Sequence, residues 1–144
     1  QSKITHSFIE NATLGSKVSV GPFSHIRAGT VLKDNVYVGN HAEIKNSTLG
    51  SETKCGHFSY IGDAIIGTNV NLGAGTITCN YDGLAKHTTV IGNNAFIGSN
   101  TMLVAPVIIG ENSVTGTGSI VNKNVPEGAR AIGAPIRIIG GGRS

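Results

Sequence analysis

The chain has 144 residues, of which 13% are charged, 5% are aromatic and 21 are glycine, and its formal net charge is +3. An ordinary globular domain carries about 25% charged residues, so this composition is typical of a repeat structure that places glycine in its turns. The charge is mild, and the sequence has neither a basic run nor interleaved aromatic residues. These features argue against nucleic-acid binding and suit small anionic substrates.

The cysteines and the short apolar segments narrow the cellular context. Cys55 and Cys79 lie in no Cys-x-x-Cys motif and are too few for a disulfide framework, so we expect a reducing, cytoplasmic environment. No segment approaches 18 consecutive apolar residues, which predicts no membrane-spanning helix. The chain starts at Gln1 without an initiator Met or a signal-peptide pattern, and we expect a piece cut from a longer protein.

A branched aliphatic residue returns about every six residues from the start of the chain and is often followed by glycine. With this position written as i, its members include Ile4, Ile9, Leu14, Val20, Ile26, Leu32, Val38, Ile44, Leu49, Cys55, Ile61, Ile66 and Leu72, and later Ile91, Ile97, Leu103, Ile109 and Val121. A small or compact residue stands at i+4. Neither a helix nor a hairpin strand has this period, whereas three six-residue units close a triangular coil of about 18 residues. The pattern predicts an all-β fold, a parallel β-helix with the i positions inside and the i+4 positions packed beside them.

The rhythm breaks once, between Cys79 and Thr89. We expect one inserted loop at about residues 79–90, and polar insertions in a regular solenoid are usually functional. The alternative is a neutral insertion. We expect one β-helix domain over residues 1–144 with a C-terminal tail from about residue 126, in which residues 140–144 carry no structural weight. A helix near Val125 is the weaker alternative for that segment.

Two cations share one register of the predicted coils. Arg27 and Lys45 both occupy i+1, where glycine is usual, and stand 18 residues apart, which places them on adjacent coils of one edge. Like charges so close repel, so we expect an anion between them, and a phosphate is the natural one. The alternative is a pair of solvated surface cations.

A second register contains His57 among small side chains. The i+2 positions Asn40, His57, Ala74, Ser99 and Thr117 fall in one column, which predicts a shallow groove for a long, thin ligand arm. His57 at its end titrates near neutral pH and can take a proton, although a polar surface histidine is the alternative. Glu43 and Tyr60 share a column at the same corner, and we expect Glu43 to orient the imidazole.

The remaining histidines and cysteines predict no metal centre. His6, His25, His41 and His87 lack paired ligand spacing, and neither cysteine lies in a metal motif. Cys55 stands in the core register. Cys79 begins the loop, where a nucleophile is the less favoured interpretation because no base is fixed beside it.

The loop motif carries a resemblance to a known family. Its residues are Gly73-Ala-Gly-Thr-Ile-Thr-Cys-Asn-Tyr-Asp-Gly83 with Lys86 after them, and the match continues at Gly21-Pro-Phe-Ser-His-Ile-Arg27, Lys54-Cys-Gly-His-Phe-Ser-Tyr-Ile-Gly-Asp63 and Val104-Ala-Pro106. Over about residues 14–125 the chain resembles the acetyltransferase domain of the bacterial bifunctional N-acetylglucosamine-1-phosphate uridyltransferase/glucosamine-1-phosphate acetyltransferases. The resemblance implies a left-handed β-helix, whereas the general rule for parallel crossovers would give the right hand. The family's N-terminal uridyltransferase domain has no counterpart in this sequence.

The resemblance also implies a role for individual residues. His57 matches the general base. The contacts to the sugar phosphate match Arg27, Lys45, Tyr60, Asn71 and Lys86. The positions near acetyl-CoA or the reacting amine match Ala74, Asn80, Tyr81 and Ser99.

Two positions depart from the family pattern at the far end of the groove. Thr117 stands where the family has an alanine, and Ala134 stands where it has an arginine that binds CoA. Arg137, which follows Pro135 closely, is the candidate to replace that arginine.

The function implied is acetyl transfer from acetyl-CoA to the amine of glucosamine-1-phosphate, by a homotrimer with sites between subunits. One rival is a hexapeptide acetyltransferase for another amino sugar or nucleotide sugar. The other is a non-catalytic β-helix scaffold, against which an intact His57 and the Arg27, Lys45 and Lys86 set argue.

Overall fold

The structure, a computed structural model, describes residues 1–141 and contains 22 strands in three sheets. The first sheet comprises β1 (Lys3–Ile4), β4 (Ser19–Val20), β7 (Tyr37–Asn40), β10 (Lys54–His57), β13 (Asn71–Leu72), β16 (Phe96–Ile97), β19 (Val114–Thr115), β21 (Ala129–Ile132) and β22 (Arg137–Gly141). The second comprises β2 (Phe8–Ile9), β5 (His25–Ile26), β8 (Glu43–Lys45), β11 (Tyr60–Gly62), β14 (Ile77–Cys79), β17 (Met102–Val104) and β20 (Ile120–Val121). The third comprises β3 (Thr13–Leu14), β6 (Val31–Leu32), β9 (Thr48–Leu49), β12 (Ala64–Ile66), β15 (Thr89–Ile91) and β18 (Val107–Ile109).

Neighbouring strands in each sheet are one coil apart and pair in parallel, except that β22 follows β21 after a turn and pairs with it antiparallel. The chain therefore winds through the three sheets in turn, as a left-handed parallel β-helix of about seven coils. The predicted fold is confirmed.

The core is the stacked set of i positions. Ile26, Ile44 and Ile61 lie above one another in the second sheet and have no exposed surface. The i+4 residues are buried beside them, and their hydroxyls find backbone acceptors: Thr53 Oγ1 donates to the Gly67 carbonyl at 2.8 Å and Thr101 Oγ1 to the Gly98 carbonyl at 2.6 Å. Buried hydroxyls are stable when they are bonded in this way, so small polar residues are compatible with the narrow prism.

Several corners between sheets require a left-handed backbone. Asn35, Asn69 and Asn94 have φ angles of 60°, 56° and 58°. Asparagine tolerates this region better than other residues that carry a Cβ. The asparagines of the sequence are therefore part of the coil geometry.

The insertion lies between β14 and β15, at the corner from the second sheet to the third. It contains a small antiparallel bridge between Tyr81 and Lys86. The loop at about residues 79–90 is confirmed, and the coils on either side remain in register because Ile66 still pairs with Ile91.

The segment after residue 125, expected as a tail, continues the fold. Val125 pairs with Ile109, and residues 126–141 contain no helix. β21 then extends the first sheet in parallel, and β22 returns antiparallel to cover it. Residues 142–144 lie outside the described part of the chain. Among residues 1–141, no helix is long and apolar enough to cross a membrane.

Candidate functional site

The column that contains His57 exists in the structure. His57 pairs with Asn40, and the register of Cys55 with Leu72 places Ala74 on the next coil. Leu72 pairs with Ile97 and Ile97 with Thr115, so Ser99 and Thr117 follow in the same column. The step from Ala74 to Ser99 is 25 residues because the insertion lies between them.

A groove runs along this column on the outer side of the first sheet. Its lining includes the side chains of Tyr37, Lys54, His57, Asn71 and Ser99, together with Gly73 and Ala74. The His57 side chain is exposed at one end. Small side chains leave backbone groups accessible, so the groove can accept a thin ligand arm that ends at the imidazole.

The two cations also stack as predicted. Ile26 pairs with Ile44, and the Arg27 amide donates to the Ile44 carbonyl at 2.7 Å, so Arg27 and Lys45 occupy adjacent coils. Each cation already has a carboxylate beside it. Arg27 Nη1 donates to Glu43 Oε1 at 2.9 Å, and Lys45 Nζ lies 3.4 Å from Asp63 Oδ1. The stacked charges therefore do not depend on a bound anion, which the sequence count alone did not reveal.

Within residues 1–141 the carboxylate of Glu43 is paired with Arg27, and no hydrogen bond joins it to His57. Glu43 faces outward from the second sheet, directly between His25 and Tyr60, and its carboxylate binds Arg27. His57 ends a strand of the first sheet, at the preceding corner. Within one chain the Glu43 carboxylate is therefore engaged by Arg27, and its expected role in orienting the imidazole stays a prediction.

Asp63 contacts several of the expected site residues, and sequence reasoning did not identify it as part of the site. Its carboxylate accepts hydrogen bonds from Asn46 Nδ2 at 2.8 Å and Asn80 Nδ2 at 2.7 Å, in addition to the Lys45 contact. Burial acts to raise the pKa of Asp63, but the Asn46 and Asn80 bonds and the charge of Lys45 outweigh it and hold the pKa below its ordinary value. The sequence carried a signal, since Asp63 follows Lys45 by 18 residues, one coil.

Asn80 connects this cluster to Tyr60. The Asn80 side chain is 4% exposed, and its Nδ2 lies 3.3 Å from Tyr60 Oη as well as 2.7 Å from Asp63 Oδ2. The residue expected near the cofactor therefore lies with the expected acceptor contacts Tyr60 and Lys45.

The inserted loop is held by its own polar contacts. Asp82 Oδ1 accepts from the Leu84 and Ala85 amides at 2.8 and 2.7 Å, and Asp82 Oδ2 lies 2.6 Å from His87 Nε2. Lys86 Nζ lies 4.5 Å from the centroid of the Tyr81 ring, within the range of a cation–π contact. Lys86 and Tyr81 thus project together from the prism.

The far end of the groove lies near the covering strand. Thr117 is exposed beyond β19, and Arg137 is exposed at the start of β22, opposite Ile132. Ala134 lies in the turn between β21 and β22. Arg137 therefore lies on the strand that extends the groove side of the prism.

Neither of the two free thiols has the lowered pKa of a reactive cysteine. Burial raises the pKa of Cys55 to about 11, against a small lowering by Ser59, and burial also raises the pKa of Cys79. A nucleophilic thiol needs the opposite shift. Within residues 1–141 no cluster of three or more His, Cys, Asp or Glu side chains could hold a metal ion.

The expected site residues form two groups in one chain. His57, Asn71, Ala74 and Ser99 border the groove of the first sheet. The second group lies on the second sheet, at the corner that follows it and in the loop, and comprises Arg27, Lys45, Tyr60, Asn80, Tyr81 and Lys86. A single prism thus presents the groove on the first sheet, whereas Arg27 and Lys45, which together form a cationic edge, follow strands of the second sheet.

Comparisons with known proteins agree with this architecture. The sequence profile described as "Bacterial transferase hexapeptide (six repeats)" matches residues 11–46 and 88–123, together half of the chain. The "Bifunctional protein GlmU" of Thermosipho africanus is 53% identical over 136 residues, which cover 94% of this chain and 30% of the relative. The protein of the same name from Streptococcus uberis is 51% identical over 136 residues, with coverage of 94% and 30%. The chain spans less than a third of the length of these relatives.

Solved structures share the fold at low identity. A hexapeptide-repeat containing acetyltransferase from Vibrio cholerae superposes with a TM-score of 0.63 at 22% identity, covering 90% of this chain and 73% of that one. The acetyltransferase domain of PglB from Neisseria gonorrhoeae, in complex with acetyl coenzyme A, gives 0.60 at 20% identity, with coverage of 92% and 54%. The profile match, the repeat and the coiled architecture agree, and the chain belongs to the bacterial transferase hexapeptide family.

Proposed function

We propose that this chain transfers the acetyl group of acetyl-CoA to the amine of glucosamine-1-phosphate. The product, N-acetylglucosamine-1-phosphate, serves UDP-N-acetylglucosamine and cell-wall precursor synthesis, and we assign the reaction to the cytoplasm, where the free thiols of Cys55 and Cys79 persist. The observation that carries the proposal is the exposed His57 imidazole at the end of a groove bordered by Ala74 and Ser99. The similarity to the bifunctional relatives supports the choice of substrate.

His57 acts as the general base. The amine nitrogen of the acceptor attacks the thioester carbon, the carbon–sulfur bond breaks, and the imidazole takes the proton that the amine loses. The CoA thiolate that leaves can then receive a proton from the imidazolium. The groove holds the thioester arm against Ala74 and Ser99, so that the reacting carbon lies beside His57.

The cationic edge binds the phosphate of the acceptor. Arg27 and Lys45 are each paired with a carboxylate, but their side chains remain 37% and 25% exposed. The Arg27–Glu43 pair is exposed on both sides, and exposed ion pairs contribute only about 0–1 kcal/mol, so a phosphate dianion can share or replace Glu43 as the partner of Arg27. Lys45 can bind the phosphate while it keeps its contact with Asp63. The Arg27 guanidinium has five donors and can bind Glu43 and a phosphate together.

A homotrimer would bring the two groups of residues together. Closed symmetric assembly places one surface of each chain against a different surface of its neighbour. The first-sheet groove of one prism then faces the second-sheet side of the next, where Arg27, Lys45 and Tyr60 lie. Lys86 and Tyr81, which project with the loop, complete the same site. Arg137 and Thr117 lie where the distal part of CoA would leave the groove.

Measurement of CoA-thiol release tests the substrate assignment. We expect turnover with glucosamine-1-phosphate and much weaker turnover with galactosamine-1-phosphate or with glucosamine. Preference for another amino sugar would favour the rival acetyltransferase. Absence of turnover with all of them would favour a scaffold.

Mixing two inactive variants tests the composite site. His57→Ala and Arg27→Ala each remove one half of it, and equal co-refolding should restore about a quarter of wild-type activity if random trimers form. A site within one chain would give no recovery.

A further inference from the structure

We propose that Asp63 is a positioning residue that fixes the direction of a hydrogen-bond chain through Asn80 to Tyr60. The chain of bonds makes Tyr60 a hydrogen-bond donor toward the acceptor substrate. The inference rests on the proposed acetyl transfer to an amino-sugar phosphate.

The direction of the chain starts at Asp63. An ionised carboxylate can only accept hydrogen bonds, and the Asp63 side chain is 11% exposed, so its oxygens need donors from the protein. Asn46, Asn80 and Lys45 supply them. The 2.7 Å contact with Asn80 therefore requires the amide nitrogen, and not the amide oxygen, to face Asp63.

Asn80 extends this directed chain of hydrogen bonds from Asp63 to Tyr60. Its Nδ2 carries two protons, of which one is directed to Asp63 Oδ2 and the other to Tyr60 Oη at 3.3 Å. Tyr60 Oη is thus an acceptor toward the protein. Its own proton remains available for a group outside this chain of bonds. An anionic or hydroxyl oxygen of the acceptor is the chemical partner that fits such a donor.

Gly62 gives these side chains the space to meet. A Cβ at Gly62 would lie 2.5 Å from Tyr60 Oη and 2.6 Å from Asn80 Nδ2. These atoms belong to side chains and not to the backbone, so an alanine at this position would displace the Tyr60 and Asn80 side chains. Gly62, which directly precedes Asp63, thus permits the contact between Tyr60 and Asn80.

Asp63 also holds both ends of the insertion. Its side chain binds Asn80, where the loop leaves β14, and its carbonyl accepts from the Thr89 amide at 3.3 Å, where the loop returns. The Asn80 carbonyl accepts from the His87 amide at 2.8 Å and closes the base of the loop. Asp63 therefore relates the position of the loop to that of Tyr60.

The substitution Asp63→Asn tests the direction of the chain while keeping its shape. The new amide nitrogen can donate toward Asn80, turn the Asn80 amide and leave Tyr60 Oη as a donor to the protein. We expect the KM for glucosamine-1-phosphate to rise about 10- to 100-fold, the loss typical of a charge-assisted hydrogen bond, with the KM for acetyl-CoA unchanged. Glu52→Gln is the matched control, because Glu52 also accepts from an asparagine one coil away, Asn35, at 2.9 Å, and also has a positive φ, of 66°.

A double-mutant cycle separates this role from neutralisation of Lys45. If Asp63 acts through Tyr60, then Asp63→Asn should cost far less in a Tyr60→Phe background than in the wild type. An equal cost in both backgrounds, or an unchanged acceptor KM, would overturn the inference. Gly62→Ala leaves every charge in place and should give the same selective rise in the KM for the acceptor. It provides the test if Asp63→Asn fails to fold. If the wild type acetylates no amino-sugar phosphate, the proposed function and this inference both fail. If the wild type does acetylate one and Asp63→Asn leaves the acceptor KM unchanged, only this inference fails.

Discussion

The regular coils and the inserted loop are stabilised by different interactions. In the coils, side chains such as Ile44 and Ile66 are 0% and 2% exposed, and each strand bonds to the strands above and below it. In the loop, Leu84 is 93% exposed, and order comes from the Asp82 carboxylate and the contact of Lys86 with Tyr81. The coils are thus stabilised by apolar burial along the whole prism, and the loop by a few local polar contacts.

The residues that stabilise the fold are therefore different from those expected to take part in the reaction. A solenoid buries its core through neighbour-to-neighbour contacts, so a change inside one coil acts on the whole stack. The exposed residues of the groove and the loop contribute little to that core. Variants in the core of the coils should therefore change stability, and variants in the groove or the loop should change turnover.

The largest expected effect is on the chemistry. His57→Ala should lower kcat by about 100- to 10,000-fold, the usual contribution of a general base, and leave the melting temperature within error because the side chain is exposed. CoA-thiol release and thermal unfolding measure the two quantities. His41→Ala, an exposed histidine at a nearby corner, is the control. Near-wild-type turnover of the His57 variant would remove the base assignment.

The next effect is on stability, and two adjacent residues provide a matched comparison. Ile66 points into the prism and is 2% exposed, whereas Ile65 points outward and is 58% exposed. Ile66→Ala should lower the free energy of unfolding by about 2–5 kcal/mol through loss of burial and the cavity that remains. Ile65→Ala should change it by less than about 0.5 kcal/mol. Equal losses in urea unfolding would contradict the burial that separates the two side chains.

A smaller effect is expected in the loop. Asp82→Ala removes the acceptor for the Leu84 and Ala85 amides, so the loop should become more mobile and turnover should fall about 10-fold as Lys86 and Tyr81 lose their fixed positions. Global stability should not change. Limited proteolysis and hydrogen exchange of the loop measure its order, with the exposed Glu127→Ala as control. Unchanged loop protection would refute this role of Asp82.

The same carboxylate predicts a pH dependence. The Ala85 amide, then the His87 side chain and the Leu84 amide, hold the pKa of Asp82 well below its ordinary value. A carboxyl whose folded pKa is depressed stabilises the folded loop above its unfolded pKa, near 3.9, and loses that contribution as pH falls through the folded value. Protection factors of the Leu84 and Ala85 amides should therefore stay constant from pH 7 to about pH 5 and fall only in stronger acid. A decline that starts above pH 5 would contradict this assignment.

The period of the sequence predicted the columns but not the partners within them. One repeated step places His57, Ala74 and Ser99 in line, because strand register in a coil follows from residue count alone. Side-chain pairing depends also on which face each residue leaves. Residue count alone placed Glu43 at the same corner as His57, but the Glu43 side chain projects from the second sheet and binds Arg27.

The breaks in the period were harder to interpret. The sequence located the insertion, but the contacts of Asn80 with Asp63 and Tyr60 depend on a backbone path that no repeat describes. The segment after Val125 lacks the six-residue step, which led to its interpretation as a tail. Its strands pair through backbone groups, which any sequence without proline at the paired positions can supply.

The smallest expected effect lies at the distal end of the groove, where polar contacts with the phosphates of CoA would be exposed. Arg137 is an exposed cation on the strand that extends the groove side of the prism. Arg137→Ala should raise the KM for acetyl-CoA about 1.4- to 5-fold, since an exposed ion pair contributes about 0.2–1 kcal/mol, and should leave the acceptor KM unchanged. Lys33→Ala, a cation at a corner on another edge, should change neither constant. An unchanged KM for acetyl-CoA in the Arg137 variant would mean that other groups hold the phosphates, and that the groove binds its ligand chiefly through the contacts near His57 that the regular coils provide.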